Sequence, residues 1–308
     1  MQFTVQYPLP VSGGSPPFAE PDSLRLFAQT AEAAGFGAIA FAEHPAPSRK
    51  WLEAGGQETF DPLSALAYCA AMTRRIRLMA YSLILPYRNP LLIAKSIATV
   101  DLLSRGRLTL VVGSGYLRSE FSALGIDFDQ RNDLFDEAIA VLREVWCTDS
   151  FNYTGEHFFA PGQVSLPGPQ QEPCPPLWIG GNSRRARRRA AEFGDGWSPV
   201  IYSGVGAATA RTFAISSIGQ LRDAIDEMRA GADAVGRDGS ALDVQVLTPD
   251  SDALTTGLDG HLDRVAELQE AGVTWLVINP APNGLNAALE SLVRYGDEVI
   301  KALDCVSK

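Results

Sequence analysis

The residue best placed to move a proton is His44, which follows a short apolar segment at residues 38–42. This segment alternates large and small side chains, so Ile39 and Phe41 suit packing beneath outer helices while the alanines suit a crowded barrel interior. The same parity turns His44 inward at the carboxyl end of the strand, where an imidazole can donate or accept a proton near neutral pH. The alternative is a histidine that only makes hydrogen bonds at a strand end. Glu43 has the opposite parity, so the two side chains are not expected to share a metal ion.

A second candidate site is an anion site at residues 180–183, Gly-Gly-Asn-Ser, which precede five arginines in six positions. The glycines expose backbone N–H groups at the positive end of the following helix, and Asn182 or Ser183 can cap that helix. Cations near a helix start oppose its dipole by up to about 1 kcal/mol each, and a bound anion would offset this cost. First-turn arginines are expected to help to hold a phosphate, and the later ones to form a solvent-exposed face. The residues expected to bind the phosphate are Gly180, Gly181, Asn182, Ser183, Arg184 and Arg185. The residues expected to form the exposed face are Arg187, Arg188 and Arg189.

Residues 76–85 resemble one strand that is longer than a barrel strand needs. Such an overshoot is typical of a strand with a bulge near the mouth of a barrel. We therefore expect Tyr81 and Ser82 to reach a cavity there, although a plain strand that ends with one buried aromatic fits equally well.

The fourth strand ends at Gly113, and Ser114 and Gly115 open the next loop. Without side chains, the two glycines would let a planar ligand or a phosphate approach the backbone closely, while a tight turn with positive φ is the alternative. Tyr116 is expected to form one wall of a pocket. The polar residues that follow are interpreted as surface or lid residues: Arg118, Glu120 and 127–131.

These candidates all require strands that end on one side of the fold. The chain alternates short apolar strands with amphipathic helices, the pattern of a parallel sheet covered by helices. Eight strand-then-helix units predict one (β/α)8 barrel domain over residues 1–308, since that is the number such a barrel needs. The predicted strands are 3–7, 38–42, 76–85, 107–113, 177–181, 195–200, 242–248 and 273–279, and the clearest helices are 23–35, 90–106 and 135–146.

Two stretches interrupt this rhythm, residues 148–176 after the fourth helix and 200–217 after the sixth strand. Both are expected to leave the carboxyl side of the barrel, where active-site lids lie. The first, which includes 153–156, is expected to form a hairpin or an extended excursion. A doubly wound nucleotide-binding fold is the alternative architecture. It is disfavoured because residues 113–118 lack the third glycine of Gly-x-Gly-x-x-Gly, and no acidic residue ends a strand about twenty residues later.

Composition limits the partners and the compartment. A formal net charge of −10 disfavours nucleic acid and anionic membranes, and the arginine run lacks interleaved aromatics. No apolar run approaches the length of a membrane span, and the start MQFTVQYPL lacks the parts of a secretory signal. The four cysteines show no Cys-x-x-Cys spacing, and His157 and His261 are the only other histidines. A cytoplasmic protein without a metal site is therefore expected.

Three segments, residues 40–45, 76–121 and 176–197, together resemble the bacterial-luciferase-like family of flavin and deazaflavin oxidoreductases. The resemblance covers nearly the whole chain, and the motifs PYRNP, GSGYLRSEF and WIGGNS are most similar to the branch that depends on coenzyme F420, an 8-hydroxy-5-deazaflavin. Other branches use FMN. The resemblance implies a cofactor ring in the barrel mouth, backed by a non-prolyl cis peptide between Tyr81 and Ser82. It also implies that His44 is the active-site histidine and that the protein is a homodimer.

The chain departs from the deazaflavin-linked sugar-phosphate dehydrogenases of this family. They carry a catalytic glutamate where this chain has Tyr116, and their phosphate-binding cations have no clear counterpart in residues 242–252. A sugar-phosphate substrate is therefore in doubt. The leading hypothesis is hydride transfer between F420 and a small organic substrate. The alternatives are an FMN-dependent monooxygenase that uses reduced flavin and O2, and a non-catalytic barrel that serves as a binding or partner subunit.

Overall fold

Eight parallel strands close into a barrel in the computed structural model, which describes residues 1–9, 16–202, 212–249, 257–281 and 283–306. The strands are β1 (Gln2–Gln6), β2 (Ala38–Phe41), β3 (Arg77–Ile84), β4 (Leu108–Gly113), β5 (Phe151–Thr154), β6 (Phe159–Gln163), β7 (Leu177–Gly180), β8 (Gly196–Ser198), β9 (Asp243–Val246) and β10 (Trp275–Ile278). The barrel runs from β1 through β2, β3, β4, β7, β8, β9 and β10, and each neighbouring pair is parallel. The (β/α)8 architecture expected from the sequence is confirmed.

Helices follow the barrel strands and pack on the outside of the sheet. They are α1 (Pro21–Ala34), α2 (Arg49–Glu53), α3 (Pro62–Met72), α4 (Pro90–Ser104), α5 (Arg118–Ala123), α6 (Arg131–Cys147), α7 (Arg184–Phe193), α8 (Ile218–Ala234), α9 (Leu258–Glu270), α10 (Leu285–Tyr295) and α11 (Lys301–Val306), with a π-helix at Gly296–Ile300 and 3₁₀ turns at Pro16–Ala19, Leu85–Tyr87, Phe128–Gln130 and Gly239–Ala241. Gly35 ends α1 in the left-handed region with φ 92°, a conformation that favours glycine. Among the described residues, no helix combines the length and the apolar character needed to cross a bilayer.

Side chains of the barrel strands divide between two apolar layers. Ile39 and Phe41 belong to the large core between the sheet and the helices, whereas Ala38 and Ala40 belong to a small cluster inside the barrel. The alanines suit that interior because bulkier members, Trp178 among them, fill most of it. The parity predicted for β2 is confirmed, and it sets the direction in which the residues after the strand project.

The prediction that residues 148–176 leave the carboxyl side of the barrel is wrong. Helix α6 returns the chain to the amino ends of the strands, so the segment that follows it lies there. The Gln171 side chain donates to the carbonyl oxygen of Leu108, at the start of β4, and the N–H of Leu110 donates to the carbonyl oxygen of Pro176. The predicted hairpin itself is present, because β5 and β6 pair antiparallel. The second predicted lid spans residues 200–217, and its residues 203–211 lie outside the described part of the chain.

A buried carboxylate fastens this insertion to the barrel. Asp101 on α4 is fully buried, and its Oδ2 accepts hydrogen bonds from the backbone N–H groups of Gln170 (2.8 Å) and Gln171 (2.9 Å). Its Oδ1 accepts a third hydrogen bond, at 2.7 Å, from Nε2 of Gln171. One acidic side chain therefore satisfies three donors of the segment.

We expect Asp101→Ala to lower the free energy of unfolding by about 2–3 kcal/mol, because three partly buried donors lose their acceptor. Ligand binding at the opposite end of the barrel is expected to stay unchanged. Denaturant unfolding measures the first effect, with Asp297→Ala as the control, since the Asp297 ion pair with Lys301 is exposed and contributes little. Loss of cofactor binding by a folded Asp101→Ala protein would contradict this placement of the insertion.

Candidate active site

A cavity of about 1010 Å3 opens at the carboxyl ends of the barrel strands, and all eight strand ends contribute to its lining. Its volume lies at the upper end of the range of roughly 300–1,000 Å3 for ligand sites, which leaves room for a cofactor beside a substrate. The structure brings twelve of the thirteen candidate site residues into this lining: His44, Tyr81, Ser82, Gly113, Ser114, Gly115, Tyr116, Gly180, Gly181, Asn182, Ser183 and Arg185. Arg184 is exposed and does not line the cavity.

Strand β3 forms the floor of the cavity. Its pairing with β4 shifts register between Tyr81 and Leu83, so the expected bulge is present. The peptide bond between Tyr81 and Ser82 is cis, as the family resemblance implies. Glu43 fixes the end of this strand, because its buried carboxylate accepts a hydrogen bond from the N–H of Ile84 at 2.6 Å and pairs with Arg88. Glu43 therefore acts on the floor and not together with the neighbouring histidine.

Two glycines keep the space over this floor open. A Cβ on Gly113 would lie 3.2 Å from Oγ of Ser82, and a Cβ on Gly180 would lie 3.3 Å from the carbonyl oxygen of Val112 and 3.9 Å from Cβ of Ser82. Gly115 has φ 77°, so the tight turn with positive φ is present at this glycine. A flat ligand can therefore approach the backbone at Ser82.

His44 is held with one ring nitrogen engaged by the protein. Its backbone N–H donates a hydrogen bond to Oγ1 of Thr59 at 2.9 Å, which fixes the chain at this position. Its Nδ1 lies 3.2 Å from Oε2 of Glu120, and its side chain is 12% exposed. The ring packs 4.4 Å from Trp51 and edge-on to Tyr116 at 5.9 Å, measured between centroids. With an Nδ1 proton donated to the carboxylate, Nε2 is the nitrogen left to exchange a proton.

The interpretation of Glu120 as a surface or lid residue is wrong. Glu120 is fully buried on α5, and its carboxylate accepts hydrogen bonds from Oη of Tyr87 at 2.9 Å and from the N–H of Ala46 at 3.2 Å, besides its contact with His44. Burial, followed by the nearby carboxylate, raises the pKa of Tyr87, so the phenol stays a donor. The available signal was the adjacent Phe121, which is also fully buried and marks this side of the short helix as inward-facing.

Tyr116 forms part of the cavity wall beside the histidine. Burial is the main cause that raises the pKa of Tyr116 to about 12, with Tyr202 and Glu120 adding to the effect. The hydroxyl therefore stays protonated at neutral pH and can donate a hydrogen bond to a ligand.

The candidate anion site at the start of α7 has the expected helix cap. Oγ of Ser183 accepts a hydrogen bond from the N–H of Ala186 at 3.1 Å, so Ser183 and not Asn182 caps the helix. The buried Asn182 side chain bonds backbone groups around the end of β8 instead. The N–H groups of Arg184 and Arg185 belong to the first turn, which has no acceptor within the helix. The Arg185 side chain lines the cavity, so Arg185 offers the cation that the sequence assigned to both arginines.

Of the three arginines on α7 that were expected to be solvent-exposed, only Arg188 is exposed. Arg188 is 63% exposed in its side chain, but Arg189 is buried and pairs with Asp136 on α6, and Arg187 pairs with Glu227 on α8. Arg189 also lines the cavity. The prediction is therefore wrong for Arg187 and Arg189, which join neighbouring helices.

Two more arginines interpreted as surface or lid residues line the same end of the cavity. The guanidinium groups of Arg118 and Arg131 lie 4.1 Å and 3.8 Å from the centroid of the Phe128 ring. Arg118 also pairs with the exposed Asp129. Both cations thus lie over the same aromatic ring, in the cavity whose lining also includes the start of α7.

Comparison with known proteins agrees with this arrangement. The sequence profile of the luciferase-like monooxygenase family matches residues 1–249. The chain is 33% identical over 178 residues to an FMNH2-dependent dimethylsulfone monooxygenase of Pseudomonas fluorescens, a match that covers 56% of this chain and 46% of that protein. It is 28% identical over 230 residues to an F420-dependent glucose-6-phosphate dehydrogenase of Gordonia bronchialis, a match that covers 73% of this chain and 62% of that protein.

The matched region is thus less than two thirds of the length of either curated relative. Among solved structures, the monooxygenase RslO1 from Streptomyces bottropensis has a TM-score of 0.77 at 20% identity, with 98% of this chain and 100% of that chain covered. That likeness shows the same barrel fold. With a family profile matched over most of its length, this chain belongs to the luciferase-like monooxygenase family.

Proposed function

We propose that the protein transfers a hydride between coenzyme F420 and a small organic substrate bound in the cavity over β3. The observation that carries this proposal is His44 beside that cavity, held at Nδ1 by the buried carboxylate of Glu120. Oxidation of an alcohol releases a proton together with the hydride, and an imidazole backed by a carboxylate is suited to take that proton. The PYRNP and WIGGNS motifs, similar to those of the F420-dependent branch, also support the proposal.

The residues of the cavity fit a cofactor of this class. Gly113 and Gly180 leave the space over Ser82 free for a planar ring, since a Cβ at either position would reach into it. The start of α7 and the side chain of Arg185 would hold a phosphate. When bound, a deazaflavin supplies or accepts the hydride.

The chain's own residues supply the proton and the geometry. His44 accepts a proton at Nε2 when the substrate is oxidised, and it returns that proton in the reverse direction. Glu120 orients the ring and balances the positive charge that the ring gains. Glu43 fixes the end of β3 by accepting a hydrogen bond from the N–H of Ile84. Tyr116 forms part of the cavity wall, and its hydroxyl can donate a hydrogen bond to a ligand.

An FMN-dependent monooxygenase is the second candidate, favoured by the FMNH2-dependent relative. The two reactions differ in their need for oxygen. Under nitrogen, we expect alcohols to reduce oxidised F420 on the protein and ketones to oxidise reduced F420, each with a change in the visible absorbance of the deazaflavin. Neither reaction is expected to consume oxygen in air. Oxygen uptake that matches product formation with reduced FMN would contradict the hydride-transfer proposal.

A further inference from the structure

The cavity is divided by charge into two sectors. Its arginine sector consists of Arg118, Arg131, Arg185 and Arg189, which all come from the α5–α7 side. The opposite sector, here called the amide sector, is formed by Gln6, Leu9, Gln57, Leu247, Asn279 and Pro280, around the ends of β1, β9 and β10. No lysine, arginine, aspartate or glutamate belongs to this set of described residues, and the one carboxylate that also lines the described cavity, Glu43, is paired with Arg88. His44 and Tyr116 lie in the same cavity.

The amide sector has hydrogen-bonding capacity that the described protein does not use. The side chains of Gln6, Gln57 and Asn279 are half-buried, and none of them makes a hydrogen bond to another residue in the described part of the chain. Each amide offers two donors and an acceptor oxygen. The other members of the sector are apolar, so a ligand there meets neutral polar groups set among apolar side chains.

An anion gains little in such surroundings. Removing a charged group from water is costly unless a counter-charge and hydrogen bonds replace its hydration. Among the described residues, the cationic side chains that line this cavity lie in the arginine sector. A hydroxyl or carbonyl group carries no such cost, and amide side chains satisfy both.

We propose that the amide sector is the substrate site and that the substrate is an uncharged, partly apolar alcohol or carbonyl compound. That the bound compound is a substrate rests on the proposed hydride-transfer function. The preference for an uncharged ligand depends only on the residues of the amide sector. It excludes phosphate esters and carboxylates from this site. The arginine sector is left to the anionic part of the cofactor.

The test uses two probes of similar shape, cyclohexanol and cyclohexanecarboxylate, titrated calorimetrically at pH 8 into protein with and without F420. We expect the alcohol to bind at least about tenfold more tightly than the carboxylate, because only the carboxylate needs a counter-charge. Gln57→Lys is expected to reverse this preference by placing a cation in the sector. Gln269→Lys, on the exposed face of α9, is the matched control and is expected to keep the preference of the unaltered protein.

Equal or tighter binding of the carboxylate by the unaltered protein, or binding of neither probe, overturns the proposal. Failure of the proposed function gives a different result. In that case F420 does not saturate the protein, yet the alcohol still binds and Gln57→Lys still reverses the preference. If F420 saturates but the carboxylate is preferred, only the assignment of the amide sector fails.

Discussion

His44→Ala is expected to lower kcat for hydride transfer by about 100- to 10,000-fold while cofactor affinity stays within about threefold, the range of effects found for a general acid or base. The physical reason is that His44 lines the cavity with Nδ1 engaged by Glu120, which leaves Nε2 to move a proton, whereas the cofactor would be held by β3, β4 and the start of α7. Steady-state kinetics and a cofactor titration on the same preparation separate the two effects. His157→Ala is the matched control, because His157 lies between β5 and β6, away from the cavity. If His44→Ala keeps a kcat within a few-fold of the unaltered protein, His44 does not transfer the proton.

Glu120→Gln tests whether the carboxylate acts through His44. We expect kcat to fall by about 10- to 100-fold, typical of residues that orient a functional group, with the Kd of the cofactor unchanged. The amide keeps the shape of the side chain but removes the charge that balances a protonated ring. Glu137→Gln serves as the control, since Glu137 accepts its hydrogen bonds from the hairpin backbone at His157 and Phe158. An unchanged kcat would leave Glu120 with a structural role only.

The second large effect is expected from Gly180→Leu, which should raise the Kd of the cofactor by at least about 100-fold. A Cβ at this position already lies 3.3 Å from the carbonyl oxygen of Val112, and the rest of the side chain would project over Ser82, where overpacking is costly. Gly180 does not have a positive φ, so leucine does not strain the backbone. Fluorescence titration gives the Kd.

The control for this substitution is Gly219→Leu on α8, where nothing but Oγ of Ser217, at 3.9 Å, lies within 4 Å of an added Cβ. It makes the same chemical change in open space, so its cofactor affinity is expected to match that of the unaltered protein. Normal affinity of a folded Gly180→Leu protein would contradict the position assigned to the cofactor ring.

The barrel and much of its floor could be predicted from local pattern. Alternation in β2 gave the inward direction of His44, and the excess length of β3 indicated the bulge at Tyr81. The cis peptide came from family resemblance and not from the residues themselves. Local periodicity sufficed for these features because each depends on neighbours within one strand.

The features that sequence reasoning missed depend on contacts between distant segments. Arg189 is buried because it pairs with Asp136, 53 residues earlier, and no local pattern shows that pairing. Glu120 meets a histidine 76 residues away. Helix phase decides that Arg185 and not Arg184 lines the cavity, since successive residues point about 100° apart. The insertion at 148–176 differs from the prediction for another reason, because α6 returns the chain to the amino ends of the strands before the insertion begins.

The most direct test of the central claim is cofactor binding by the purified protein, followed through tryptophan fluorescence in parallel titrations with F420 and FMN. Trp51 packs against His44 and Trp178 lies inside the barrel, so a ligand in the cavity is expected to quench the signal. Saturable binding of F420, with FMN at least about tenfold weaker, is the predicted result. Tighter binding of FMN would contradict the account in favour of an oxygen-using flavin enzyme, and binding of neither would point to a barrel without catalytic function.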